Sequence, residues 1–548
     1  MLLLMQGEQV KKVFCALIAI LVLLTVTARG DRSFAAEDQQ EENHKRTATT
    51  VVDYTEYEWW VIRWSDNAIL CSVLIDHEGL PTGDEILEDC GVDVYDQWKV
   101  TPPCPQLTDG GDTSACLGLY LFQISSRPAQ KTVMVELPPP VVWVSLSGCT
   151  PTFPANVCSQ LPSLLLTGEE PLPNEQITAI HAIFNGQPVT CFASTCEIPL
   201  QPTPQQGITV EFWADSSFGD SSQHYTAQVR VIDTGVSATP GTQGWYVDVL
   251  SSQWRDGPLP ACALTWQALP PIGGPPAWLS TPEIPELLAS DVPYAFLAGR
   301  LIAQGVVDAS ECPSGGLLAN GYADACGLEK ALPAVEEWQN QFDARIIEVA
   351  KNTGVPAQLL KNLFAQESQF WPGAVNASDH IGLGHITDNG ADVLLMWNPE
   401  FFAEFCPLVL DASACEPGYL RMDESLRAIL RGAVASQAQA SCPECPMGLD
   451  LSNAQFSIEL FANTLLAGCE QVGQIVYNAS NQVPGTVSSY EDLWRFNLAN
   501  YHAGPGCLSY AIYTAWAQGG APLTWERVSS NFTPACLGVV HYVEQIAK

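Results

Sequence analysis

The run PAQLLKNLFAQESQFWP, residues 356–372, pairs a helical pattern with one well-placed acid. Pro356 suits a first helical turn and Pro372 ends the helix. Leu359, Leu360, Leu363 and Phe364 form an apolar stripe. Glu367 follows Leu363 by four residues and Phe364 by three, so it falls on the same inward face. A carboxyl set among apolar side chains near a helix end is desolvated. Desolvation raises a carboxyl pKa toward what a general acid working near neutral pH needs. The structural alternative is a glutamate paired with an arginine or a backbone amide.

Two later segments bear on that choice. Glu367-Ser368-Gln369-Phe370, then Gly382-Leu383-Gly384-His385-Ile386-Thr387, then Asn500-Tyr501-His502-Ala503-Gly504-Pro505-Gly506 occur in that order. Together they resemble the three ordered motifs of the lytic transglycosylases, lysozyme-superfamily enzymes that cleave peptidoglycan. The resemblance covers residues 333–548 and implies a mainly α, lysozyme-like catalytic domain there. It implies Glu367 as the sole catalytic acid/base, acting on the bond between N-acetylmuramic acid and N-acetylglucosamine and leaving a 1,6-anhydro ring. That chemistry uses no second carboxylate, unlike the usual two-acid scheme, and no metal or cofactor. Ser368 and Tyr501 are implied to orient Glu367 or to contact the sugar, and Gly382 and Leu383 to form the cleft wall. Ser368 serves equally well as a local hydrogen bonder at a helix end.

The chain departs from the family at His385 and His502, which stand where a glutamine and an asparagine are usual. An imidazole donates and accepts with different geometry and titrates near pH 6.5. Two imidazolium charges beside Glu367 are expected to weaken it as an acid at low pH. Two other functions stay open. One is a goose-type lysozyme hydrolase on the same scaffold, in which Asp379 or Asp388 holds a water. The other is a catalytically inactive cell-wall-binding or adhesion protein.

These residues are positioned by a chain that divides by composition. Lys11 and Lys12 precede the apolar run Val13–Ala28, which is 16 residues long and followed by small residues. That pattern predicts a signal peptide over 1–36, with an uncleaved signal anchor as the alternative, and is short of the roughly 20 residues a membrane span needs. Residues 37–50 read as a polar linker. Over 51–138, the runs YEWWVIRW, AILCSVLI, WKV, LGLYLFQIS and KTVMVEL predict strands of a disulfide-bearing β domain. Residues 139–234 predict an immunoglobulin-like sandwich with a hairpin at Asn185-Gly186. Residues 235–332 are rich in proline and glycine and read as a connector that packs onto the next domain. From 333 the pattern is helical: Val335, Trp338, Phe342, Ile346 and Val349 share one face, and Gly354 caps their helix. Residues 401–453, with four cysteines, read as an insertion lining or lidding the cleft. The expected fold class is thus multidomain, two β-rich, sandwich-like modules followed by the helical domain.

Composition fixes the surroundings. Of 19 cysteines, Cys15 leaves with the signal, and the other 18 predict up to nine disulfides in an exported chain. Cys442 and Cys445 read as a disulfide rather than half of a metal knuckle, because no second ligand pair lies near them. The net charge is −37, from 23 basic and 60 acidic residues. Such a chain offers no basic surface for nucleic acid or anionic lipid. The expected setting is secreted or extracytoplasmic, with peptidoglycan or a related amino-sugar glycan as partner and no membrane span once the signal is cleaved.

Overall fold

The computed structural model describes residues 46–104, 113–149, 157–235, 244–255, 261–290, 293–373 and 381–548. The expected signal peptide and residues 37–45 of the expected linker lie outside them. A β-rich region of three sheets precedes a mainly helical region.

The first sheet has strand order β2-β1-β3, with β1 at Thr47–Arg63, β2 at Ile69–Ile75 and β3 at Leu119–Glu136. The two runs expected as separate strands form the single strand β3, which pairs antiparallel with β1 from Thr47↔Glu136 to Arg63↔Leu119. The last residues of the expected linker, Thr47–Thr50, are therefore strand, since Val133–Glu136 offer them a ladder. The WKV run is not a strand. Trp98 and Lys99 end helix α2 (Val92–Lys99), which follows α1 (Gly83–Cys90). A capping box between Thr82 and Glu85 starts α1. Ile86 from α1 and Val94, Tyr95 and Trp98 from α2 then pack against Val61 and Val73. Tertiary burial overrides the β-propensity of the run.

Arg46 clamps this ribbon to the next module. Its guanidinium donates to Glu170 (2.6 and 2.9 Å), to Asp220 (2.6 and 3.1 Å) and to the Pro138 carbonyl (2.7 Å). Burial works against the charge on Glu170, yet the bonds from Arg46 and Ser216 hold its carboxyl down at about 2.

That module is a two-sheet sandwich. One sheet is β4 (Val141–Ser147), β6 (Ser163–Glu169) and β9 (Thr195–Pro199). The other runs β5-β12-β11-β10-β7-β8, with β5 at Val157–Cys158, β7 at Ile177–Phe184, β8 at Gln187–Cys191, β10 at Ile208–Ser216, β11 at Tyr225–Asp233 and β12 at Trp245–Leu250. Val142, Val144, Leu164 and Leu166 face Val210, Phe212, Val229 and Val231 in one core. Asn185 (φ +50°) and Gly186 (φ +72°) make the tight turn between β7 and β8. Strand β12 lies beyond the expected boundary at 234, because Asp233↔Trp245 begins a further antiparallel pairing with β11.

The helical region consists of α3 (Ala295–Ala303), α4 (Ala325–Asn340), α5 (Asp343–Thr353), α6 (Ala357–Glu367), α7 (Asp388–Trp397), α8 (Pro399–Val409), α9 (Glu424–Ala438), α10 (Leu451–Ser480), α11 (Tyr490–Gly519) and α12 (Gly538–Ile546), joined by shorter turns. The proline-rich stretch does more than connect. Trp266, Trp278, Leu279, Tyr294 and Leu297 belong to the same buried core as α5, α6, α10 and α11. Trp266 meets Trp494 edge-on, and its indole N–H donates to the Cys469 carbonyl (2.9 Å). Helix α4 runs straight through 332/333, so no gap in packing falls there. The periodic face from Val335 to Val349 is buried throughout, but it spans two helices, α4 and α5. Periodicity registers a shared face and is blind to a one-turn break. Gly354, at φ +71°, caps α5.

The eighteen cysteines from Cys71 to Cys536 form nine disulfides. Cys442–Cys445 is one of them, and Cys262–Cys469 staples the proline-rich stretch to α10 across 207 residues. This pattern fits a chain matured in an oxidising compartment. Titration of the denatured, unreduced mature protein is expected to find almost no free thiol. A value near eighteen would contradict both the pairing and the compartment. Among the described residues no helix is long and apolar enough to cross a membrane.

Candidate active site

Helix α6 places its apolar stripe as the spacing requires, with Leu359, Leu360, Leu363 and Phe364 fully buried. Glu367 is its last residue, and the Glu367 side chain keeps 14% of its surface exposed. The chain leaves the helix sharply. Ser368 is the C-cap, and Gln369 and Phe370 then adopt left-handed backbone at φ +49° and +61°. Ser368 is buried, and its hydroxyl donates to the Leu383 carbonyl (2.7 Å), with the Phe364 carbonyl 3.2 Å away. It thus ties the helix end to the second motif.

That motif is a tight turn closed by paired backbone bonds between Ile381 and Ile386 (3.2 and 3.0 Å). Gly382 sits at φ +77°, and a Cβ there would lie 2.6 Å from the Ala438 carbonyl and 3.0 Å from Phe461. The expected role of Gly382 and Leu383 as cleft wall needs correction. Gly382 is closed off by α9 and α10, and the Leu383 side chain is fully buried. They shape the turn, and the Leu383 backbone does the bonding. Ala438 belongs to the 401–453 segment, which therefore packs directly on this turn. Ile381, Ala435, Ser436 and Gln439 line a shallow cavity beside it.

Beyond the turn, His385 (φ +53°) brings Nδ1 to 3.4 Å from Glu367 Oε2. The third motif lies in α11, which kinks at Gly504 (φ +79°) ahead of Pro505. The Tyr501 hydroxyl donates to the Gly384 carbonyl (2.5 Å). The His502 ring stacks on Tyr542 at 4.0 Å between centroids and 14° between planes. Tyr542, from α12, donates its hydroxyl to Glu367 Oε1 at 2.5 Å. The three motifs and α12 thus converge on Glu367. Ser368, His385, Tyr501 and His502 are brought together there, and of these His385 comes within ion-pair distance of the Glu367 carboxyl.

Electrostatics give each partner a fixed role. Burial, then the charge on Glu367, raises the Tyr501 hydroxyl well above its usual range. Burial, the Glu367 charge and Tyr501 do the same to Tyr542. Both phenols therefore stay protonated donors at physiological pH. Burial lowers the pKa of His502 against the pull of Glu367, so its ring takes up a proton only at a lower pH than a free imidazole does. A base whose folded pKa is lowered costs stability as pH falls through its ordinary value of about 6.5. His502→Asn is therefore expected to flatten the fall in urea midpoint between pH 7.5 and 5. Equal falls in both proteins would contradict this.

The polar contacts of Glu367 among the described residues are Tyr542 and His385, with no second carboxylate. Asp388 is exposed at the head of α7, and Asp379 lies outside the described residues. No group of side chains among the described residues is arranged to hold a metal ion. Among the described residues the site is thus built on the Glu367 carboxyl, held by a phenol and approached by an imidazole, at the end of a buried helix. Motif spacing alone did not indicate Tyr542. The available signal was the stripe Val539, Tyr542, Val543 and Ile546, an inward helix face that carries one phenol. No family model matches the chain, and no curated protein matches it.

Proposed function

We propose that the chain is a secreted, extracytoplasmic lytic transglycosylase that cleaves peptidoglycan, or a closely related amino-sugar glycan, on a lysozyme-like helical scaffold. The observation that carries this reading is the carboxyl of Glu367, at the meeting of the three motif segments, held from Oε1 by Tyr542 and touched by no other carboxylate among the described residues. A protonated Glu367 gives its proton to the glycosidic oxygen as the bond from that oxygen to the muramic C1 breaks. The muramic C6 hydroxyl attacks C1, and its proton returns to Glu367. The acid is regenerated, no water enters, and the fragment ends in a 1,6-anhydro ring. A single acid/base carboxyl suffices for this internal displacement, whereas hydrolysis needs a second group to hold a water. Tyr542 limits the rotation of the carboxyl and leaves Oε2 to face His385 and the substrate. His385 and His502 then stand where the family presents amides to the glycan. Incubating the protein with insoluble peptidoglycan tests the proposal. Release of soluble fragments is expected, and no release from any wall preparation would remove it.

A further inference from the structure

Helix α3 begins without a cap of its own. Its N-cap residue, Tyr294, is left-handed (φ +48°) and makes no capping bond, its hydroxyl being spent on Gln339 Oε1 (2.6 Å). The second and third helical residues, Phe296 and Leu297, are buried (9% and 0% exposed), so water cannot easily satisfy their N–H groups. Both instead donate to Gln369 Oε1, at 2.9 and 3.2 Å. Gln369 caps a helix some 70 residues away, and it is the residue that opens the left-handed turn after Glu367-Ser368.

Two consecutive non-glycine residues in left-handed backbone persist only where their surroundings over-determine them. Phe370 is held by full burial against Phe342 and Phe364 and by Trp338, whose indole donates to its carbonyl (2.9 Å). On the side nearer Glu367, backbone bonds from Phe370 to the Phe364 carbonyl (3.3 Å) and from Trp371 to the Ser368 carbonyl (3.0 Å) close the turn, and the Gln369 side chain ties it to α3. We propose that Gln369 is a positioning residue, whose cap on α3 locks the turn that aims Glu367. The proline-rich stretch thereby becomes a functional part of the site. This inference rests on Glu367 being the acid/base.

Steady-state kinetics on solubilised peptidoglycan strands, combined with amide hydrogen exchange, test it. Gln369→Ala is expected to lower kcat by about 10- to 100-fold with KM little changed, the scale of a slight misplacement of a reacting group. Exchange at the Phe296 and Leu297 amides is expected to speed up. Gln369→Glu keeps an acceptor at a helix N-terminus, where negative charge is favoured, and is expected to retain wild-type protection and most of kcat. Gln369→Asn keeps the amide but shortens its reach, and is expected to fall between the two if Gln369→Ala does not fold. Unchanged kcat in Gln369→Ala or Gln369→Asn despite deprotected amides would overturn the positioning role alone. So would a Gln369→Glu variant as slow as Gln369→Ala. A wild-type protein that cleaves no glycan would overturn the Glu367 reading, and this inference with it.

Discussion

Glu367→Gln is expected to lower glycan cleavage by about 10²–10⁴-fold, the usual worth of a general acid–base group, while the fold stays intact. The amide has the shape of the carboxyl, and its carbonyl oxygen can still accept from Tyr542, which now bonds to Glu367 Oε1. What is lost is the proton for the glycosidic oxygen and the base that takes up the C6 proton. Thermal unfolding of the variant is expected to match wild type, which separates a chemical defect from a packing one. Retention of more than about a tenth of the wild-type rate would contradict the role of Glu367.

Lys361→Met is expected to destabilise the protein by about 3–5 kcal/mol, the scale for leaving one member of a buried ion pair alone. Lys361 is fully buried in α6, six residues before Glu367. Its ammonium donates to Asp343 Oδ1 at 2.6 Å and to Asn340 Oδ1 at 3.2 Å, and lies 5.0 Å from the centre of the Phe370 ring. Burial pushes the Asp343 carboxyl up to about 6 and lowers the Lys361 amine, each opposed by the other's charge. Without Lys361 only the raising effect remains. Acidification toward the ordinary aspartate value of about 3.9 protonates Asp343 in the fold first, so the variant is expected to regain stability as pH falls. Lys361→Met with Asp343→Asn is expected to recover most of the loss at pH 7. Denaturant midpoints of the three proteins decide it, and a single variant within about 1 kcal/mol of wild type would contradict the account.

Much of the site was legible because helix periodicity and turn chemistry are local. The stripe from Leu359 to Phe364 put Glu367 on the inner face, and Gly382 and Gly504 stand where the backbone turns left-handed. The partners were not legible, because they are set by packing between segments far apart in the chain. Tyr542 lies 175 residues after the carboxyl it holds. Lys361 interrupts an apolar stripe and reads as a solvated residue until Asp343 is seen beneath it. Gln369 looks like an exposed residue after a helix until α3 is found without a cap. The β modules show the same division. Asn185-Gly186 announced its turn, whereas the long pairing of β1 with β3 and the addition of β12 depend on strands that sequence spacing does not join. The helical spacing of Val94, Tyr95 and Trp98 was present, but the short WKV run at its end pointed toward a strand.

The most direct test of the central claim is the mass of the smallest fragments released from peptidoglycan. Internal attack by the C6 hydroxyl adds no water, so each new muramic end is expected to be an anhydro sugar, lighter by one water than a hydrolytic end. The same digest made in isotopically labelled water should carry no label at that end, and Glu367→Gln should yield almost none of the fragment. Reducing muramic ends bearing solvent oxygen would contradict the account, because they require attack by water in place of the C6 hydroxyl.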